Sequence, residues 1–374
     1  MFKRLLVTGG AGFIGSNFIT YFLSKYPNVL VVNLDKLTYA GSMDNLSEVS
    51  SRDNFVHVTG DICDESLVNA LFEQYDFDAV VHFAAESHVD NSVTGPKAFV
   101  HTNVVGTFTL LQAALKHWMD GPHQVKSGKE HCRFHHISTD EVYGALGESG
   151  SFTEDTAYAP NSPYSATKAS SDFLVRAYHH TYGLNVTTSN CSNNYGPRQH
   201  AEKLIPKTIS CILNHHEIPV YGTGLNVRDW LFVEDHCSAI DTILREGKSG
   251  ETYNVGTNNE LDNMTLIKAI CALMDKKVPA KDGQSYTSLI THVKDRPGHD
   301  FRYAVDASKL KDHTSWRPKY NFEEALEYTI DWYIKKLAIR DGLIAWVELN
   351  WIEKRPMRPL FVCPFRMRGG RTIS

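Results

Sequence analysis

The first apolar run of the chain, Phe2–Thr8, empties directly into TGGAGFIGS, Thr8–Ser16. Gly10, Gly12 and Gly15 satisfy G-x-G-x-x-G, and Gly9, Gly12 and Gly15 also give G-x-x-G-x-x-G. An amphipathic stretch runs on from this loop to about Tyr26. A buried strand, a turn without side chains and a helix starting at that turn leave few folds open. The glycines let the backbone come close to a ligand, and the unpaired N–H groups of the helix favour an anion such as a pyrophosphate.

The following segments keep to the same plan. Val29–Leu34 is a second apolar run and ends at Asp35, 20 residues beyond Gly15. Further strand-like runs are Phe55–Thr59, Ala79–Ala85, Phe134–Ser138 and Val186–Asn190. Helical patterns lie between them at Glu65–Tyr75, Ala98–His117 and Pro163–Tyr182. Strands alternating with helices predict an α/β chain with a Rossmann-type doubly wound parallel sheet. A length of 374 residues exceeds one ordinary core, so a smaller α/β substrate-binding lobe is expected beside it. The expected division is 1–190 for the dinucleotide domain, with about 229–257 returning to it, and 191–340 mainly for the second lobe. Residues 341–374 form an atypical basic tail, rich in arginine and proline, for which no regular structure is predicted.

Asp35 decides which dinucleotide fits. A carboxylate at the end of the second strand accepts hydrogen bonds from ribose hydroxyls and repels a 2′-phosphate, so NAD is expected rather than NADP. GDI, Gly60–Ile62, ends the third strand, where an adenine ring could lie on Ile62 and hydrogen-bond Asp61.

Bulk properties exclude other classes. A net charge of −5 gives no reason to expect nucleic acid or an anionic membrane as partner. No run beyond the N-terminus reads as long enough to span a bilayer, and the N-terminal apolar run is too short for a signal peptide. Seven scattered cysteines with no CxxC pair predict free thiols in a reducing cytoplasm. No His/Cys spacing calls for a metal.

The chemistry is carried by two short stretches. SPYSATK puts Tyr164 and Lys168 four residues apart, on one face of a predicted helix. A lysine beside a phenol favours phenolate, which can take the proton of an alcohol as its carbon gives up hydride. HHISTDEVYG then places Thr139, Asp140 and Glu141 at the end of a strand read as Phe134–Tyr143. Thr139 adds a hydroxyl beside them. The two adjacent acids are surplus to oxidation alone. Once an alcohol carbon has become a ketone, the proton on the neighbouring carbon is acidified. One carboxylate can remove that proton while a protonated carboxyl drives off a hydroxyl on the next carbon as water, provided their environments separate their pKa values.

These elements resemble the extended short-chain dehydrogenase/reductase superfamily from about residue 3 to about 335. Within it the chain is most similar to the nucleoside-diphosphate-glucose 4,6-dehydratases, above all those acting on dTDP-glucose. The matching segments include LDKLTYAG, GDICD, AAESHVDNSV, NCSNNYGPRQ, EKLIP, RDWLFVEDH and DRPGHDFRYAVD. The resemblance implies C4 oxidation, loss of water across C5 and C6, and hydride return to C6. It assigns Thr139 to the oxygen of the alcohol being oxidised, Asp140 as acid at C6, Glu141 as base at C5, Tyr164 as base at the C4 hydroxyl, and Lys168 to the nicotinamide ribose. It also implies that Gly9, Gly12, Phe13, Ile14, Gly15, Asp35, Lys36, Leu37, Thr38, Asp61, Ile62, Ala84, Ala85, Thr102, Tyr164, Lys168 and Asn194 hold NAD. Ser87, His88, Thr139, Asn193, Lys203, Leu204, Arg228, Asn263, Arg296 and His299 would hold the sugar nucleotide. A homodimer through the helices at Ala98–His117 and Pro163–Tyr182 is implied as well. The alternatives are a UDP-glucose 4,6-dehydratase, which shares the mechanism, and a nucleotide-sugar 4-epimerase, in which both acids would be idle. Asn91 stands where the family commonly has arginine.

Overall fold

The computed structural model describes residues 2–295 and 300–340. Its main sheet has seven strands: β1 Arg4–Thr8, β2 Leu30–Asp35, β3 Phe55–Thr59, β4 Ala79–His82, β5 Arg133–Thr139, β6 Val186–Cys191 and β7 Thr252–Val255. Their spatial order is β7-β6-β5-β4-β1-β2-β3, and every pair is parallel. Runs such as Val31-Val32 and Ala79-Val80-Val81 are fully buried, as strands covered on both faces must be.

Five helices cover this sheet: α1 Phe13–Lys25, α2 Glu65–Tyr75, α3 Thr107–Trp118, α4 Pro163–Tyr182 and α5 Val233–Glu246. Phe72 of α2, Leu110 and Trp118 of α3 and Val175 of α4 share one core with Leu6, Val32, Val80 and Phe134. Helices α1 and α5 meet each other, with Lys25 Nζ donating to the buried Asp241 carboxylate at 2.6 Å. Ala239 and Ile243 of α5 pack with Tyr253 and Val255 of β7. Strand order reverses at β1, so the chain leaves β1 and β4 in opposite directions and opens a crevice at their C-terminal ends.

Beyond β6 a smaller sheet begins. Val227–Phe232 is its centre, parallel to Asn193–Tyr195 and antiparallel to Glu260–Asp262. Helices Leu204–Leu213 and Asn263–Lys277 and the parallel pair Ile218–Tyr221/Ile290–Val293 complete this region. Residues up to Tyr333 form one compact unit. Ile334 begins a second, of which the described part is the end of the helix Phe322–Arg340. The basic tail from 341 onward lies outside the described residues.

Four local expectations change. The strand read as Phe134–Tyr143 stops at Thr139, and Asp140–Tyr143 wind into a 3₁₀ turn. The Thr139 hydroxyl accepts the Glu141 N–H at 3.3 Å and so competes with further pairing. The run Ala79–Ala85 is strand only to His82. The helix read as Ala98–His117 contains a π-helical segment, Val100–Gly106. There the buried Asn103 side chain bonds the Glu86 backbone and Thr167. Finally, Pro96–Trp118 is by length and composition long and apolar enough to cross a membrane, contrary to the sequence expectation. Half of its most apolar window is buried within the protein, as in a core helix.

Candidate active site

The glycine loop forms one end of the crevice. Gly9 has φ +71°, and a Cβ there would lie 2.6 Å from the Ala84 backbone nitrogen. At Gly15 a Cβ would lie 2.4 Å from the Gly9 carbonyl oxygen. Both obstacles are main chain and cannot yield. Gly12 caps α1 with no side-chain partner, leaving the helix N-terminus to a ligand. Asp35 accepts Ala11 N–H and Leu37 N–H, both at 2.8 Å, which uses half of its acceptor capacity. Lys36 donates to Asp61 at 2.7 Å. That pairing, with the Cys63 N–H, holds the Asp61 carboxyl below its usual range although burial works against it. Lys36 is therefore engaged by an acid and does not stand as a free counter-charge to Asp35. Cradle, open helix end and ribose acid together fit a dinucleotide.

The reacting groups meet at the other end. Ser162 caps α4 by accepting the Ser165 N–H, Ser165 returns the bond, and Pro163 sits in the first turn. The helix then carries Tyr164 and Lys168 into the crevice, both buried. Lys168 Nζ donates to the Ile137 carbonyl at 2.8 Å, tying α4 to β5. Thr139 ends β5, and its hydroxyl lies 3.3 Å from Asp140 Oδ1. Asp140 is 2% exposed, and its Oδ2 has no partner among the described residues. Burial, then Glu141 and Asp229, push the Asp140 carboxyl well above the carboxylate range, against the opposing pull of Arg228 and Thr139. Its surroundings therefore favour the protonated form.

One electrostatic expectation is reversed. Burial, followed by the Glu141 charge, raises the Tyr164 phenol well above its ordinary value. Burial likewise lowers the Lys168 ammonium, partly offset by Asp172 and Cys191. Lys168 is turned to a backbone carbonyl, and burial with the Glu141 charge favours the protonated phenol.

The crevice has a cavity volume of about 340 Å³, within the ~300–1,000 Å³ usual for a ligand pocket. It is lined by Gly9, Gly12, Phe13, Ile14, Gly15, Asp35, Lys36, Thr38, Asp61, Ile62, Ala84, Ala85, Thr102, Asn194, Tyr164 and Lys168 from the cofactor set. Leu37 does not line it; its N–H is spent on Asp35. From the other sets the lining includes Thr139, Asp140, Glu141, Ser87, Asn193 and Lys203. His88 stands behind the lining, 3.2 Å from Glu202. Leu204 and Asn263 begin helices and are not among the lining residues. Arg228 is not among the lining residues. It donates to the carbonyls of Val227, Asp300 and Phe301 and lies 4.4 Å over the Tyr303 ring. Arg296 and His299 lie outside the described residues. Asn91 is exposed and does not line the crevice, so its departure from the family leaves the lining unchanged.

Sequence reasoning missed Tyr39, Glu86, Cys191, His200 and Glu202, all in the lining. Cys191 had a signal, since it ends β6 directly opposite Thr139. The others come from loops meeting across the crevice, where a Glu202 carboxylate oxygen lies 3.2 Å from a ring nitrogen of each of His88 and His200. Asp61, Cys63 and His101 bring ligand atoms within 4.8 Å of one another. Lys36 already occupies Asp61, and the Cys63 thiol donates to the His101 carbonyl, so no metal is assigned there.

The family profile for GDP-mannose 4,6 dehydratase matches residues 6–329. A dTDP-glucose 4,6-dehydratase from Xanthomonas campestris pv. campestris (strain B100) is 56% identical over 339 residues, 91% of this chain and 95% of the relative. The chain belongs to the dTDP-glucose 4,6-dehydratase family. The enzyme of that name from Bacillus anthracis, solved in complex with NAD, is 44% identical over 89% of this chain and 97% of its own, with a TM-score of 0.78. The Streptomyces venezuelae enzyme, also solved with NAD bound, is 43% identical over 90% and 98%, with a TM-score of 0.81.

The loop geometry makes a direct prediction. Gly15→Ala should lower affinity for NAD at least about ten-fold, since its methyl cannot be accommodated against the Gly9 carbonyl. Titration of cofactor-stripped protein by fluorescence measures this, and unchanged affinity would contradict the cradle.

Proposed function

We propose that the protein converts dTDP-glucose to dTDP-4-dehydro-6-deoxy-glucose and water, with NAD held in the crevice and regenerated in each cycle. The observation that carries this reading is the buried Asp140, whose surroundings favour the protonated carboxyl, beside Glu141 and next to the Tyr164/Lys168/Thr139 set. A 4-epimerase has no use for that pair. The chemistry that bound NAD supplies is hydride storage, from C4 at the start to C6 at the end.

The chain supplies the proton transfers. Thr139 Oγ1 holds the C4 oxygen, and Tyr164 Oη takes its proton. This happens against burial and the Glu141 charge, so the Lys168 ammonium, one turn along α4, is the cation that favours it. Glu141 then takes the C5 proton, and Asp140 gives its own proton to the departing C6 hydroxyl. Burial raises the affinity of Asp140 for its proton and so favours the form that this step needs, whereas water favours the ion of an exposed aspartate.

Two of the coarser expectations extend to assembly and compartment. Val100, Phe108 and Phe173 are 49%, 39% and 58% exposed along the π-helical segment, α3 and α4. This apolar strip supports a homodimer formed through those helices. Free thiols at all six described cysteines support a reducing cytoplasm.

In heavy water, turnover of dTDP-glucose should give a 4-keto-6-deoxy sugar carrying deuterium at C5, with UDP-glucose the poorer substrate. Glu141→Gln should lose roughly 10²-fold or more in turnover while reduced cofactor accumulates at 340 nm. Recovery of a galactose epimer, or unchanged turnover in the variant, would contradict the assignment. Light scattering should give twice the mass of one chain, and a single-chain mass would contradict the helix pairing.

A further inference from the structure

Behind the reacting residues lies a buried carboxylate that the reaction above does not use. Asp172 sits one turn beyond Lys168 on the buried face of α4 and is 5% exposed. Its Oδ1 lies 3.0 Å from His136 Nε2, and its Oδ2 accepts from Ser138 Oγ at 2.8 Å and Tyr158 Oη at 3.0 Å. His136 and Ser138 flank Ile137, whose carbonyl takes the Lys168 ammonium. Three consecutive residues of β5 are therefore gripped by two residues of α4, immediately before Thr139 and Asp140.

We propose that Asp172 is a positioning residue of the reaction: its carboxylate fixes α4 against the end of β5 and supplies the negative charge that keeps Lys168 an ammonium. The proposal rests on the reading of Lys168 given above.

The groups facing Asp172 are His136 from β5, Lys168 from α4, and the phenols of Tyr143 and Tyr158 from the segment between them. Burial and the neighbouring Lys168 hold His136 well below its ordinary value, so it is neutral and cannot balance a charge. The phenols are pushed up by burial and are neutral as well. That leaves Lys168 as the cation that answers Asp172. Burial pushes the Asp172 carboxyl up to about 7, against Lys168, Ser138 and Tyr158, which pull it down. Above that pH it is an anion, over the range in which a lysine titrates. A buried carboxylate is costly unless it is paired, and here Lys168, Ser138 and Tyr158 offset part of that cost. Sheet–helix packing alone would be met by an apolar residue. The three bonds explain the grip, and the charge explains why the residue is an acid.

The test is direct titration of Lys168 in the whole protein by lysine ¹³Cε NMR, with the signal assigned from its absence in Lys168→Met. Asp172→Asn keeps the size and one acceptor but loses the charge. Its Lys168 midpoint should fall by about one pH unit or more. Turnover should then fail at a correspondingly lower alkaline pH, and Asp172→Glu should restore part of both. Ser138→Ala removes one strut but leaves the charge. It should lower the melting temperature with little change in the Lys168 midpoint. If Asp172→Asn does not fold, Asp172→Ser carries the same expectation. An unmoved Lys168 midpoint in the neutral variant overturns the inference, whatever happens to turnover. A Lys168→Met protein with full turnover would instead overturn the reading of Lys168 on which the inference rests.

Discussion

The bond from Lys168 Nζ to the Ile137 carbonyl joins the two elements on which everything else at the site depends. One is α4, which carries the phenol and the ammonium. The other is the end of β5, which carries Thr139 and then turns Asp140 and Glu141 out of the sheet. Neither element reaches the other through local sequence. They meet because β5 and β6 pair in register from Phe134↔Val186 to Thr139↔Cys191, and the connecting helix packs back on both. A register shift of one residue would send Thr139 to the opposite face.

The same sheet sets the electrostatics. Ending a fully buried strand in a 3₁₀ turn leaves Asp140 inside while Glu141 is only partly covered. Two adjacent acids thereby receive different environments from a single turn. Dehydration acts on every ionisable group nearby: it loads Asp140 with a proton, holds Tyr164 as a phenol and weakens Lys168 as a cation. A site of this kind is primed to donate. Its basic functions depend on charges that arrive or are held in place.

Much of this was legible in the chain. The loop from Thr8 to Ser16, the strand-end Asp35 and the Tyr164/Lys168 spacing have fixed geometric meanings, and each lies in the crevice they predicted. Helices α2 and α4 begin and end as read, because Asp64, Ser162 and Gly183 are strong capping signals. What was illegible depends on long-range packing. The sequence gives no sign of what Arg228 touches, and only the fold shows three carbonyls and the Tyr303 ring holding it. Glu202 and His200 reach the crevice across a loop. Asp172, 36 residues from the histidine that it bonds, carries no local mark of its role. The depression of a tyrosine pKa by a neighbouring lysine is likewise a local rule, and here the dielectric of the whole core overrides it.

The central claim is that one crevice couples oxidation at C4 to elimination across C5 and C6, and closes the cycle within a single sugar. The most direct measurement is the fate of a deuterium placed at C4 of dTDP-glucose, followed by NMR and mass spectrometry of the product. The account predicts that the label appears at C6 of the same molecule, with no exchange into solvent or between labelled and unlabelled substrate. Label returned to C4, or lost to water, would contradict it.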